Sequence, residues 1–301
     1  MGEWIEYIAA RAVLGFLGLL PRTLARFAGV QAVRVLYLLR PPLWRAAHWN
    51  LKLAFPEWSA AERRRVIRGV IKQVGWMAGE FAHFPDYTRE NIDRVVLLDG
   101  FENFAAARER GKGVLFLTGH FGAWELAPFA QALFGHPLHF LARPIANGRV
   151  NALVNRYRCL SGNQPIDKNR SARAVLTILH QGGTVGVLAD HNSSREEGVF
   201  VDFFGIPACT TSGLARMALR TGAAVVPGFL LWDPAIRKYR LRFDPAVELV
   251  RTGDDERDIQ ENTARFMRVV EDFVRRYPDQ WLWVHKRWNT RPPGEPPTYP
   301  F

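Results

Sequence analysis

Gly113-Val114-Leu115-Phe116-Leu117-Thr118-Gly119-His120-Phe121-Gly122-Ala123-Trp124-Glu125-Leu126 reads as a buried strand, a turn and the start of a helix. Val114 to Leu117 is a short apolar run rich in β-formers, and the Gly/His/Phe/Gly cluster after it breaks the strand. The spacing of Leu126, Phe129, Ala130 and Leu133 predicts a helix from about Ala123 to Phe134, stopped by Gly135-His136-Pro137. In an open α/β sheet ligands sit beyond the carboxyl ends of the strands, so His120 falls where chemistry is usually found. A carboxylate bonded to one imidazole nitrogen fixes the tautomer and leaves the other nitrogen basic, so His120 with Glu125 five residues on can take a proton from a hydroxyl. The same two residues also suit a His closing a strand and a Glu favoured at a helix N-terminus.

Outward from this stretch, short strands and helices alternate. Strands are expected at Val95 to Leu98, Leu138 to Leu141, Val185 to Ala189, Ala224 to Leu230 and Tyr239 to Phe243. Helices are expected at about Val150 to Cys159, Ala172 to His180, Gly213 to Thr221 and Asp255 to Arg276. This alternation means βαβ units and a mostly parallel sheet flanked by helices, with an edge hairpin where Trp232-Asp233-Pro234 separates two strands. The region before it, residues 1–94, is helical. Ser59-Ala60-Ala61-Glu62 is a capping box that opens a helix running to about Phe84. The Pro-rich tail, residues 291–301, reads as a loop and a candidate for disorder.

At 301 residues with 48% hydrophobic and 12% aromatic content, the chain has ample material for a core and is not disordered as a whole. Its net charge of +11 comes mostly from Arg, which pairs bidentately with phosphate oxygens of nucleic acid, anionic lipid or a phosphorylated substrate. Between Tyr7 and Leu20 nearly every residue is apolar except Arg11. A bilayer span needs about 20 such residues, so a helix seated in the membrane interface is preferred to a spanning one. Residues 22 to 55, with Val30, Val33, Tyr37 and Leu38 among Arg22, Arg26, Arg34, Arg40 and Arg45, suit either an anionic membrane surface or ordinary packing on the core.

Several chemistries are set aside. Neither G-x-G-x-x-G nor G-x-x-x-x-G-K-[ST] occurs, G-x-S-x-G and H-E-x-x-H are missing, and Cys159 and Cys209 lack metal or disulfide spacing. His136 and His139 would point to opposite faces of a strand, so no metal is expected. No nucleic-acid-binding module is recognisable, and no nucleic-acid partner is expected.

His120-Phe121-Gly122-Ala123-Trp124-Glu125 resembles the H-x-x-x-x-[DE] motif of glycerolipid and lipid A acyltransferases, in the form typical of the late, lauroyl/myristoyl type. Collinear stretches resemble the same family. They are Asn50-Leu51 through Phe55-Pro56-Glu57, Gly198 to Ala208, Thr221 to Pro227, and Trp281-Leu282-Trp283-Val284-His285-Lys286-Arg287-Trp288. The resemblance implies an acyltransferase domain over residues 95–290, on the cytoplasmic face of the bacterial inner membrane. It would move a fatty acyl chain from a thioester, acyl-acyl-carrier-protein or acyl-CoA, to a hydroxyl of a lipid acceptor, with no cofactor beyond that co-substrate.

By the same resemblance His120 acts as base, Glu125 supports it, and an Arg one helix later assists. Arg158 is the matching position, with Arg156 close by. Asp190 matches an acidic residue ending the next core strand, although the family commonly reads Asp-Gln where this chain has Asp190-His191. Arg158 and the backbone amides at Phe121-Gly122 are candidate oxyanion donors, and Trp124, Phe129 and Phe134 are candidate walls for an acyl chain. A lipid A precursor is the expected acceptor. A lysophospholipid, a phosphoinositol mannoside, an aminoacyl lipid, or a non-catalytic role in binding anionic lipid are the alternatives.

Overall fold

The computed structural model describes residues 2–166 and 171–301. Four helices come first: α1 (Gly2–Leu19), α2 (Arg22–Leu39), α3 (Pro41–Ala54) and α4 (Ala60–Ala82). The break between α2 and α3 falls at Arg40, which precedes a proline and sits at φ −125° and ψ 66°, outside the helical region that a following Pro disfavours. Ser59 and Glu62 close the expected capping box at the start of α4. Helix α4 lies so close to α2 that a Cβ on Gly75 would stand 2.5 Å from the Val30 backbone, and one on Gly29 would stand 2.2 Å from the Gly75 carbonyl oxygen. A buried carboxylate, Glu80 on α4, ties the pair together by accepting from Arg22 and Arg26 of α2 and from the Tyr87 hydroxyl.

The rest alternates as the sequence predicts. In order come β1 (Val96–Asp99), α5 (Phe101–Glu109), β2 (Val114–Thr118), α6 (Leu126–Leu133), β3 (His139–Phe140), α7 (Gly148–Cys159), β4 (Gln164–Pro165), α8 (Ser171–His180) and β5 (Thr184–Leu188). A hairpin, β6 (Gly198–Phe203) and β7 (Ile206–Thr211), follows, then α9 (Gly213–Thr221), β8 (Ala224–Asp233), β9 (Lys238–Phe243) and α10 (Asp255–Arg276). Seven strands form one sheet in the order β1-β9-β8-β2-β5-β3-β4, and its pairings are parallel except β8 with β9. The hairpin expected at the sheet edge is the β8–β9 pair, but it lies inside the sheet because β1 pairs with the outer side of β9.

Strand β2 is central and buried on both faces, which explains its uninterrupted apolar run. Its side chains alternate between two cores. Leu115 and Leu117 join Val225, Phe229 and the α10 residues Phe266, Val270 and Phe273 on one face; Val114 and Phe116 join Val226, Leu241 and Phe129 on the other.

Among the described residues no helix is long and apolar enough to cross a membrane. The outer faces of α1 and α2 nevertheless expose Trp4, Ile5, Ile8, Val13, Phe16, Leu19, Leu24, Phe27, Leu36 and Leu39. The Pro-rich tail is a loop, as expected, but not a disordered one. Tyr299 is buried and donates its hydroxyl to Asn50 at 2.6 Å, and the Trp49 indole donates to the Thr298 carbonyl at 2.9 Å.

Candidate active site

The parallel register of β2 and β5 builds the centre of the site. Thr118 lies beside Leu188 at the carboxyl ends of the two strands, so His120 and Asp190, each two residues further on, meet. The Asp190 carboxylate takes three donors: the His120 ring Nδ1 at 2.9 Å, the His120 backbone N–H at 2.8 Å and the Trp281 indole N–H at 2.8 Å. Asp190 is fully buried. Burial works against its charge, but the hydrogen-bonded His120 outweighs it, and the carboxyl is held well below the usual carboxylate range.

An ionised Asp190 fixes the proton of a neutral His120 on Nδ1 and leaves Nε2 as the basic atom. Burial opposes the imidazolium here too, while Asp190 and then Glu125 favour it more strongly, so the His120 pKa is raised.

Two expectations change at this point. Glu125 does not hold the imidazole, because Asp190 occupies Nδ1. Glu125, at the turn into α6, instead binds Arg158 of α7 bidentately, Nε at 2.8 Å and Nη2 at 2.5 Å. It reaches His120 only through its field. Nor are the turn amides available to an oxyanion: Phe121 N–H donates to the Gly119 carbonyl and Gly122 N–H to the Gln280 carbonyl, both at 2.8 Å. Gly122 is required for another reason. It sits at φ +50°, and a Cβ there would stand 2.5 Å from the Leu230 carbonyl oxygen.

Beside this centre lies an apolar cavity enclosing about 780 Å³ of empty space, its opening to solvent included. Trp124 forms part of its wall and stands edge-on to His120 with ring centroids 5.2 Å apart. Glu125 and Arg158 contribute the charged part of the lining, with Phe140, Leu141 and Leu188 among the apolar part. Of the three aromatics expected at such a cavity, only Trp124 lines it. Phe129 is core, stacked on Phe84 at 3.9 Å, and Phe134 packs against the edge of the same core.

His191 lies flat on His120, with centroids 4.1 Å apart and planes within 6°. His285 follows at 4.8 Å from His191. Burial and then the neighbouring His120 lower the His191 pKa; His285 is pushed down to about 3, mainly by burial, so both rings are neutral near neutrality. His120, Asp190 and His191 each bring a ligand-type atom within 4.8 Å of the others. They do not fit a metal. An imidazole ligates in its ring plane at about 2.0–2.1 Å, two parallel planes four ångströms apart do not converge on one ion, and the Asp190 oxygens already accept three hydrogen bonds.

Sequence reasoning placed the block Trp281 to Trp288 in the family pattern without giving it a task. The structure gives it one. Phe121 and Trp281 form an antiparallel bridge, Leu282 N–H donates to the His120 carbonyl at 3.0 Å, and Trp281 holds Asp190. The block is in turn held by Asn50 of α3, whose amide donates to the carbonyls of Trp283 and His285 at 2.7 and 2.8 Å. The signal was the density of Trp in an otherwise basic segment, and such residues bury large areas with one polar handle.

A mostly parallel sheet with an imidazole–carboxylate pair at the carboxyl ends of its central strands, opening beside an apolar cavity, defines an α/β enzyme with a place for a greasy substrate. Residues 1–290 match the family of bacterial lipid A biosynthesis acyltransferases, and the chain belongs to that family. It is 30% identical to the lipid A biosynthesis lauroyltransferase of Escherichia coli K12, over 84% of this chain and 81% of that one. The palmitoleoyltransferase of the same organism is 28% identical with the same coverage, and a lipid A biosynthesis acyltransferase of Haemophilus influenzae is 28% identical over 83% and 76%. The chain is accordingly an O-acyltransferase.

Proposed function

We propose that the protein transfers a fatty acyl chain from an acyl thioester, carried by acyl carrier protein or CoA, to a hydroxyl of a lipid A precursor, with His120 as general base and Asp190 as its orienting partner. The observation that carries this reading is the His120–Asp190 pair, with Nε2 left basic, next to the apolar cavity walled by Trp124. His120 Nε2 takes the proton of the acceptor hydroxyl as its oxygen bonds to the thioester carbonyl carbon. The carbonyl oxygen becomes an oxyanion. When it reforms the carbonyl, the carbon–sulfur bond breaks and the imidazolium returns the proton to the leaving thiolate, giving an ester and a thiol. No acyl-enzyme is needed.

Arg158 is assigned as the cation that meets the oxyanion; its two hydrogen bonds to Glu125 in the cavity lining support this, because a pre-oriented donor avoids reorganisation during the reaction. Membership of the family supports the acceptor, and the exposed apolar faces of α1 and α2 support seating on the cytoplasmic surface of the inner membrane.

The test is incubation of the purified protein with labelled acyl thioesters and a panel of lipid acceptors. Labelled lipid A precursor is expected from the wild type, and a loss of about 10²–10⁴-fold from His120→Ala with unchanged folding. Near-normal turnover in His120→Ala would overturn the base assignment, and transfer to every lipid except a lipid A precursor would overturn the acceptor.

A further inference from the structure

Beside the stacked histidines lies a second pocket, lined by Arg143, His191, Asn192, His285, Lys286 and Asn289 and enclosing about 570 Å³ with its opening. Its composition is unlike that of the apolar cavity. It holds a guanidinium, an ammonium, two imidazoles and two carboxamides, and no carboxylate. Arg143 makes no hydrogen bond or ion pair among the described residues, although most arginines near the site are paired. Both ring nitrogens of His285 are buried without a hydrogen-bond partner among the described residues. Closed off from solvent, they make His285 part of the pocket wall and not a group that reaches into it. Lys286 is anchored at the pocket by donating to the Phe301 carbonyl at 2.8 Å, and Asn192 braces the floor by bonding the backbone and side chain of Thr290.

We infer that this pocket is a phosphate subsite of the transfer reaction, with Arg143 as its principal cation and His191 and Asn289 as donors around it. The inference rests on the acyl-transfer reading for the source of the phosphate. An anion seated against His191 lies one stacked ring from His120, which places it on a substrate whose reacting group is already at Nε2. A phosphate can come from either partner, from the phosphorylated sugar of a glycolipid acceptor or from the phosphopantetheine arm of the donor. Guanidinium and carboxamide groups recognise the two alike. Neutral His285 suits the wall of such a pocket, because it adds no charge that would have to be buried when the pocket is empty.

Two measurements on the full chain test the inference. In the first, imidazole 1H–15N spectra are followed during titration with inorganic phosphate against chloride at matched ionic strength. The His191 and His285 signals are expected to shift and saturate in the wild type, and to respond about ten-fold more weakly in Arg143→Gln, the loss typical of a hydrogen bond to a charged group. A wild type in which these signals respond to phosphate no more than to chloride overturns the subsite, whatever the enzyme acylates.

In the second, kcat/KM is measured for acyl-pantetheine against acyl-4′-phosphopantetheine, and for acceptors with and without their phosphates. The preference of the wild type for one phosphorylated partner is expected to fall about ten-fold in Arg143→Gln, and the pair in which it falls identifies the source. An Arg143→Gln penalty equal across both pairs overturns the assignment. Absence of turnover in every combination with wild-type enzyme would count against the acyl-transfer reading and leave the spectroscopic result to decide the subsite.

Discussion

Asp190 carries more of the site than its place in the sequence suggests, because it accepts from the ring and backbone of one residue and from an indole 91 positions away. Replacing it with Asn keeps the shape but removes the charge. The amide can accept at Nδ1 through its oxygen, yet it no longer stabilises the imidazolium formed as the proton is taken. Asp190→Asn is therefore expected to lower kcat by about 10²–10⁴-fold in a steady-state acyl-transfer assay.

The acid limb of the pH profile separates this role from a structural one. The base must be neutral before it acts, and the wild-type His120 pKa is raised above its ordinary 6.5, so activity should fall as pH drops through a value above that. Without the Asp190 charge the effect of burial prevails, and the limb of the Asn variant should move to lower pH. A limb that stays in place while kcat falls would mean that Asp190 acts by packing alone.

At the scale of elements, what could be read in the chain was whatever neighbouring residues determine. The βαβ alternation was legible because each strand carries its own apolar run and each helix its own period, and the Ser59–Glu62 box fixed the start of α4 from four residues. The partner of His120 was not legible in this way. The eye falls on Glu125, five residues on, whereas the partner stands 70 residues away and arrives through the β2–β5 register. The Gly122 amide is a candidate oxyanion donor from sequence, but it is taken by the Gln280 carbonyl, an interaction that no local pattern announces. The two-residue strand β4 is too short for periodicity to mark, whereas β3 falls inside the strand expected at Leu138 to Leu141. Close contact between α2 and α4 is equally invisible without coordinates, and it yields a prediction. Gly75→Ala puts a methyl against the Val30 backbone, which cannot swing aside as a side chain would. The expected cost is about 1–3 kcal/mol, read as a lowered midpoint in chemical denaturation.

Across the whole molecule, apolar surface and polar chemistry fall on different parts. The residues exposed on α1 and α2 include Ile8, Phe16, Leu19, Phe27 and Leu36, a concentration of large apolar side chains on two consecutive helices and a candidate patch for a membrane. Helix α1 is also tied to the catalytic half: Asn147, which caps α7, donates to the Glu3 carbonyl and to the Glu6 carboxylate at 2.8 Å, and the Arg149 guanidinium lies 3.8 Å over the Trp4 ring. Helix α7 carries Arg158, so the greasy helices and the charged lining of the apolar cavity are mechanically joined. If the patch seats the enzyme on a bilayer, the cavity meets its substrates at the surface where they reside. Phe16→Ser and Leu36→Ser remove side chains that are 60% and 48% exposed, so the fold should be unaffected and thermal melting unchanged. Each large apolar side chain transferred from water is worth about 1.5–3 kcal/mol, and the double variant is expected to sediment with anionic vesicles at least about ten-fold less well than wild type. Equal vesicle binding by wild type and double variant would assign the patch to another partner and leave the Arg-rich surface as the membrane contact.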